Sequence, residues 1–193
     1  VSKIAIILAS TREGRQGAKV AAWVNRVAET RKDQNFELVD LRDWPLPFYN
    51  LATSAAGAKG EYGNELANRW SATIRGFDGF IIVTPEYNHG YPAVLKNALD
   101  WLYAEWNDKP VAFVGYSNGP IAGARSVEQL RLVALALQMI TIRHDLLIPT
   151  VTKQFSETGE IIDPSYVRRL ETMLDHFLAY VATFVLHRDQ QKS

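Results

Sequence analysis

Apolar and polar positions alternate along this chain in two rhythms, one suited to buried strands and one to amphipathic helices. Ile4–Ala9 is an unbroken apolar run, the mark of a strand covered on both faces. Gly17–Arg31 carries Val20, Val24 and Val27, with Ala21 and Ala28, at helical spacing. Phe36–Leu41 reads as a second strand. Asp43–Gly60 contains Pro45, Pro47, Gly57 and Gly60 and reads mostly as loop. Glu61–Arg75 is a helix with Leu66, Trp70 and Ile74 along one face, and Gly79–Thr84 is a third buried strand. Pro92 suits a first helical position, where its missing N–H costs nothing, and Val94, Leu95, Ala98, Leu99 and Leu102 form the stripe that follows. Val111–Gly115 is a fourth strand. Ala124–Gln138 is a helix bearing Val127, Leu130, Ala134 and Leu137. Ile140–Ile148 contains a fifth strand, interrupted by Arg143, His144 and Asp145. Asp163-Pro164 opens a last helix that runs through Val167, Leu170, Leu174, Phe177, Val181 and Phe184.

Five strands separated by helices predict an α/β domain, a parallel sheet with helices on both faces, spanning 1–193 as one unit. Ligands in such sheets sit beyond the strand C-termini, at the switch point. The segments after strands one, three and four are therefore where chemistry is sought.

Composition narrows the chemistry. The 193 residues contain 21 Lys+Arg against 21 Asp+Glu, so the formal charge is zero. That balance offers no footprint for nucleic acid or an anionic membrane. The absence of cysteine removes thiol nucleophiles, disulfides and cysteine-held metals, and no histidine spacing suggests a metal site. Apolar runs of about 6 to 8 residues fall short of a membrane span. The run after Lys3 is likewise too short for a signal peptide, and a cytoplasmic setting is expected.

After strand one comes Ser10-Thr11-Arg12-Glu13-Gly14-Arg15-Gln16-Gly17. A helix N-terminus offers unpaired N–H groups and a positive dipole end, which suits a phosphate. Ser10 and Thr11 can donate further hydrogen bonds, and Arg12 or Arg15 can neutralise charge. Neither the dinucleotide fingerprint nor the Walker loop is present. After strand three, Thr84-Pro85-Glu86-Tyr87-Asn88-His89-Gly90-Tyr91-Pro92 forms a stiff loop able to aim backbone N–H groups at a planar heterocycle.

Pro85-Glu86-Tyr87-Asn88, then Gly90-Tyr91-Pro92 and Leu95-Lys96-Asn97-Ala98-Leu99-Asp100-Trp101, resembles the signature of the NADPH-dependent FMN reductase family. That flavodoxin-like group includes azoreductases, chromate reductases and quinone reductases. The Ser-Thr-Arg loop is similar to the family's phosphate loop, and the resemblance covers about residues 3–147. It implies a flavodoxin-like three-layer sandwich with strand order 2-1-3-4-5, holding FMN in a homodimer or homotetramer. It also implies that Ser10, Thr11, Arg12, Arg15, Gln16 and Gly17 hold the FMN phosphate. Pro85, Glu86, Tyr87, Asn88, His89 and Gly90 would line the ring, with Ser117 and Gly119 completing the third contact. The implied reaction is ping-pong hydride transfer from NADPH or NADH, through FMN, to a small-molecule acceptor such as a quinone, a flavin or an azo compound. No side chain is obliged to act as acid or base, and Tyr87, His89 and Tyr116 serve as walls or hydrogen-bond partners. The family usually pairs glycines where this chain has Ala122-Gly123.

Three other readings compete. One is a flavodoxin-like electron carrier, which the neutral charge disfavours. Another is a flavin-fold module that has lost its cofactor and works by binding partners. The third is a serine hydrolase, because Gly115-Tyr116-Ser117-Asn118-Gly119 is a literal nucleophile-elbow pattern, followed by Asp163 or Asp175 and by His176 or His187. Pro120 and Gly123 delay the helix that an elbow requires. Asp163 belongs to a helix cap, and Asp175 and His176 are adjacent on one helix, so their side chains diverge. Arg125 either holds the loop or stays solvated. Trp101 reads as core. Trp106, among polar residues, is a candidate dimer anchor, and Trp44 is a candidate cover for a partner's site.

Overall fold

The computed structural model describes residues 1–191. Strands β1 (Lys3–Leu8), β2 (Asn35–Asp40), β3 (Gly79–Pro85) and β4 (Pro110–Tyr116) run parallel in the order β2-β1-β3-β4. Two short strands, β5 (Ile140–Thr141) and β6 (Leu146–Ile148), both pair with β4. The flavodoxin-like order is thus present, with the fifth strand in two pieces. Arg131 explains the split. Its guanidinium takes the carbonyl of Ile142 (2.9 Å) and the Asp145 carboxylate (2.6 Å), drawing the intervening residues off the ladder.

Six helices cover the sheet: α1 (Gly17–Ala28), α2 (Ala55–Ala58), α3 (Glu65–Arg75), α4 (Ala93–Asp100), α5 (Ala124–Ala136) and α6 (Ser165–Gln191). The period of two along β1 divides its side chains between two apolar layers. Ile4, Ile6 and Leu8 pack with Val20, Trp23 and Val24 of α1 and with Leu170 and Phe177 of α6. Ala5, Ile7 and Ala9 belong to the other layer, with Trp70 and Ile74 of α3 and Leu95 and Leu99 of α4. Helix α3 begins at Glu65, later than the apolar spacing predicts. Gly63 takes a positive φ of 61°, and Asn64 caps the helix by accepting the N–H of Ala67 at 3.0 Å. No helix among the described residues is long and apolar enough to cross a membrane.

Trp106 is not an interface anchor. It is fully buried, its indole N–H donates to the Leu99 carbonyl (3.2 Å), and its ring meets Phe80 edge-on at 4.9 Å. Its polar neighbour Glu105 is also buried, which removes the reason for reading the segment as surface. Glu105 accepts hydrogen bonds from Ser71 Oγ (2.6 Å), Tyr62 Oη (2.8 Å) and Arg75 (3.2 Å). Trp44 lies against Trp70, its ring centroid 4.9 Å away, in its own subunit.

Burial by itself would raise the Glu105 carboxyl. The Ser71 and Tyr62 hydroxyls outweigh it and hold the group below its ordinary range. A lowered folded value means that this network stabilises the fold above the unfolded-state pKa of about 4.3, and that the contribution is lost as pH falls through the folded value. Glu105→Ala is expected to cost about 3 kcal/mol at neutral pH and to flatten the acid limb of stability below about pH 4. Urea unfolding across that range checks both, and an unchanged midpoint and acid limb would remove Glu105 from the stability argument.

Candidate functional site

The β1–α1 and β3–α4 connections leave the sheet toward opposite faces, and a crevice opens between them at the strand C-termini, as the strand order requires. Its cleft holds about 310 Å³ and is shaped by the ends of β1, β3, β4 and β6. Ser10, two residues beyond β1, is fully buried, and its hydroxyl lies 2.7 Å from Tyr87 Oη. That contact ties the first loop to the third-strand loop. Gly14 turns the first loop with a φ of 64°.

Helix α1 then starts against Tyr116, the last residue of β4. A Cβ at Gly17 would lie 2.3 Å from Tyr116 Oη and 2.9 Å from Leu8 Cδ1, so only glycine permits this approach. Burial pushes the Tyr116 phenol well above its ordinary range, with the nearby Tyr87 adding to the shift. The phenol stays neutral, and its buried oxygen lies beside Ser10 and the start of α1 at Gly17.

The loop after β3 is a tight turn. Tyr87 and Gly90 exchange two backbone hydrogen bonds (2.8 and 3.0 Å), while Asn88 and His89 both carry positive φ (50° and 68°). Two positive-φ central residues make the compact turn that asparagine tolerates well. Helix α5 fastens this turn from outside: Gln129 donates to the His89 carbonyl (2.7 Å), and Arg125 Nε donates to Glu86 Oε1 (2.6 Å). Arg125 is therefore a loop holder. Glu86 lines the cleft, and its Oε2 is buried with no partner among the described residues.

The cleft is lined by nine of the residues singled out in the sequence: Ser10, Arg12, Arg15, Gln16, Pro85, Glu86, Tyr87, Tyr116 and Ser117. The others sit behind it. Gly17 lies under Tyr116, Thr11 has its carbonyl taken by Arg42, and Asn88, His89 and Gly90 form the outer turn. The Gly119 carbonyl accepts from Ser117 Oγ at 3.1 Å. Gly14, Asn118, Val151 and Thr152 also line the cleft and were not singled out. Val151 and Thr152 follow β6, and the N–H of Val151 donates to the Ser117 carbonyl (3.0 Å). The C-terminus of the interrupted fifth strand was the available signal for them.

The hydrolase constellation does not assemble. Asp175 pairs with Arg31 (2.9 Å), His176 stacks on His144 with ring centroids 3.8 Å apart, and Asp163 caps α6 through the N–H of Ser165 (2.8 Å). The loop after β4 instead turns through Ala122 (φ 59°) and Gly123 (φ 86°). Two left-handed residues in succession account physically for glycine being favoured at both positions.

Comparisons with known proteins agree with this geometry. A model of the family described as NADPH-dependent FMN reductase matches residues 2–153. An NAD(P)H-dependent FMN reductase of Schizosaccharomyces pombe is 42% identical over 137 residues, covering 71% of this chain and 68% of its own length. A 2-hydroxy-1,4-benzoquinone reductase of a Burkholderia species is 30% identical over 185 residues, covering 93% and 96%. Among solved structures, FerB, a flavoenzyme NAD(P)H:(acceptor) oxidoreductase of Paracoccus denitrificans, is similar with a TM-score of 0.79 at 26% identity. That match spans 95% of this chain and 99% of FerB.

Gly17→Ala is expected to push the start of α1 off Tyr116 and to destabilise the protein by about 2 kcal/mol, in the range of overpacked cores. Tyr116→Phe in the same chain should recover part of that loss, because the closest contact is the hydroxyl. Thermal unfolding of the single and double variants checks this. A double variant no more stable than Gly17→Ala alone would place the conflict elsewhere, at Leu8.

Proposed function

The chain belongs to the NADPH-dependent FMN reductase family, and from that premise we propose how its cleft works. The protein is an FMN-dependent NAD(P)H oxidoreductase of the FMN reductase and quinone reductase type. The observation that carries the assignment of its site is the pairing of two kinds of group in one cleft. A loop with exposed Arg12 opens a helix N-terminus against Tyr116 on one side, and Glu86, whose Oε2 has no partner, stands with a stiff turn on the other. The first kind suits a phosphate, and the second suits a planar heterocycle that carries its own hydrogen-bonding edge.

In this reading Ser10, Thr11, Arg12, Arg15, Gln16 and Gly17 form the phosphate loop. Arg12 meets the charge, and Gly17 lets the helix start come close. Pro85, Glu86 and Tyr87 line the ring, and Asn88, His89 and Gly90 keep their loop in shape. Ser117 and Gly119 hold the loop on the pyrimidine side. FMN, when bound, supplies the hydride chemistry, and the protein supplies orientation and electrostatics. With FMN bound, backbone N–H groups of the loops containing Asn88 and Ser117 would offset negative charge on the ring. One open face then serves donor and acceptor in turn, so the cycle is ping-pong and the acceptor is a quinone, a flavin or an azo compound. A homodimer or homotetramer, a single domain across 1–193 and a cytoplasmic setting belong to the same proposal.

The purified protein is expected to be yellow, or to quench added FMN, and to bleach anaerobically with NADPH or NADH and recolour with a quinone. Initial rates at varied donor and acceptor should give parallel double-reciprocal lines; intersecting lines would replace ping-pong with a ternary complex. Arg12→Ala is expected to weaken FMN by about 1.5–3 kcal/mol, the worth of a charge-assisted hydrogen bond. Unchanged affinity in a fluorescence titration would move phosphate recognition to the backbone.

A further inference from the structure

Arg15 belongs to the first loop, but its guanidinium is already committed to protein atoms. It donates to the Ser10 carbonyl (2.5 Å) and forms a two-pronged pair with Asp40, the last residue of β2 (Nη1 to Oδ1, 2.7 Å; Nη2 to Oδ2). Asp40 also accepts the N–H of Arg42 at 2.9 Å. Arg42, exposed in the short 3-10 turn Leu41–Asp43, reaches back across the loop. Its Nε donates to the Thr11 carbonyl (3.2 Å) and its Nη2 to the Arg12 carbonyl. Three successive carbonyls of the loop, at residues 10, 11 and 12, are thus held by two arginines that share one carboxylate.

A trans peptide places its C=O and the following N–H on opposite sides. Holding those carbonyls on the β2 side therefore turns the N–H groups of Thr11, Arg12 and Glu13 toward the β3 side, where the cleft lies. The N–H of Arg12 agrees: it points to Ser10 Oγ (3.4 Å), which is itself bonded to Tyr87 of the β3 loop. Partial burial alone would raise the Asp40 carboxyl. The Arg15 hydrogen bonds, the Arg42 amide and both positive charges outweigh it and keep the group ionised below its ordinary range. The clamp is therefore charged throughout the neutral range.

We propose that Asp40 and Arg42 are positioning residues for the phosphate of FMN, holding the loop carbonyls so that its amides meet the anion without either side chain touching it. The proposal rests on the FMN reading above and adds two residues outside the family signature. Its physical content is preorganisation: a loop ordered before binding does not lose that ordering entropy when the ligand arrives.

The test compares FMN with riboflavin, which lacks the phosphate, by fluorescence titration of wild-type apoprotein, Arg42→Ala, Arg42→Lys and Asp40→Asn. Arg42→Ala is expected to lose about tenfold to thirtyfold in FMN affinity and less than about twofold for riboflavin. Arg42→Lys, whose ammonium lacks the planar fork, should recover part of the loss, and Asp40→Asn should lose in the same selective way. Amide hydrogen exchange at residues 11–13 of the free protein should speed up in Arg42→Ala. Equal losses for both flavins, FMN affinity within about twofold of wild type, or unchanged exchange would overturn the proposal. A wild-type protein that takes up neither flavin would overturn the FMN reading itself, and the clamp's role with it.

Discussion

Strand β1 has neither a free edge nor a free face. It is hydrogen-bonded to β2 on one side and β3 on the other, and covered by α1 and α6 on one face and by α3 and α4 on the other. Its enclosed residues, Ile4–Leu8, are all apolar, and the chain reaches its two neighbours by crossovers that pass over opposite faces. The β1–α1 and β3–α4 connections diverge at the strand C-termini, and the space between them is the cleft. Everything polar about the site, from the buried Ser10 hydroxyl to the close approach of Gly17 and Tyr116, sits on the rim that this enclosure creates.

The rim is rigid because most of its polar groups are already used. The loop after β1 gives its carbonyls to Arg15 and Arg42, and the turn after β3 is closed on itself and held by Arg125 and Gln129. Asn97 pins the Pro-rich segment by accepting the N–H of Tyr49 (2.9 Å) and donating to the carbonyls of Leu46 and Pro47, with Trp101 Nε1 also on Pro47. Among the side-chain atoms of the cleft residues, Arg15 Nε and Glu86 Oε2 are buried without a partner. A buried polar atom without a partner is costly, so a ligand group that pairs with one contributes to binding. The signature from Leu95 to Trp101, which carries much of the family resemblance, therefore acts through scaffolding.

Much of this was legible in the chain because apolar periodicity is a local signal. The buried runs at Ile4–Ala9 and Gly79–Thr84 mark the central strands, and the loops after them mark the rim. What was illegible depended on distant neighbours. Trp106 sits among polar residues in sequence, but Glu105 beside it is itself interior, satisfied by Ser71 and Tyr62 from α3 and the segment before it. Arg42 belongs to no motif in the sequence, and only the parallel pairing of β2 with β1 sets it beside the Thr11 and Arg12 carbonyls. Val151 and Thr152 reach the cleft only because β6 pairs with β4.

The amino-acid sequence by itself determined which segments are strands, which loops face the strand C-termini, and which family motif those loops carry. Each of these follows from residue type and spacing over a few positions. The tertiary structure decided which polar atoms remain available. Arg15 and Arg125 are committed to Asp40 and Glu86, while Arg12 stays exposed and Glu86 Oε2 stays without a partner. Hydrogen-bond satisfaction is a competition among groups far apart in the chain, so it has an outcome only once the sheet has brought them together.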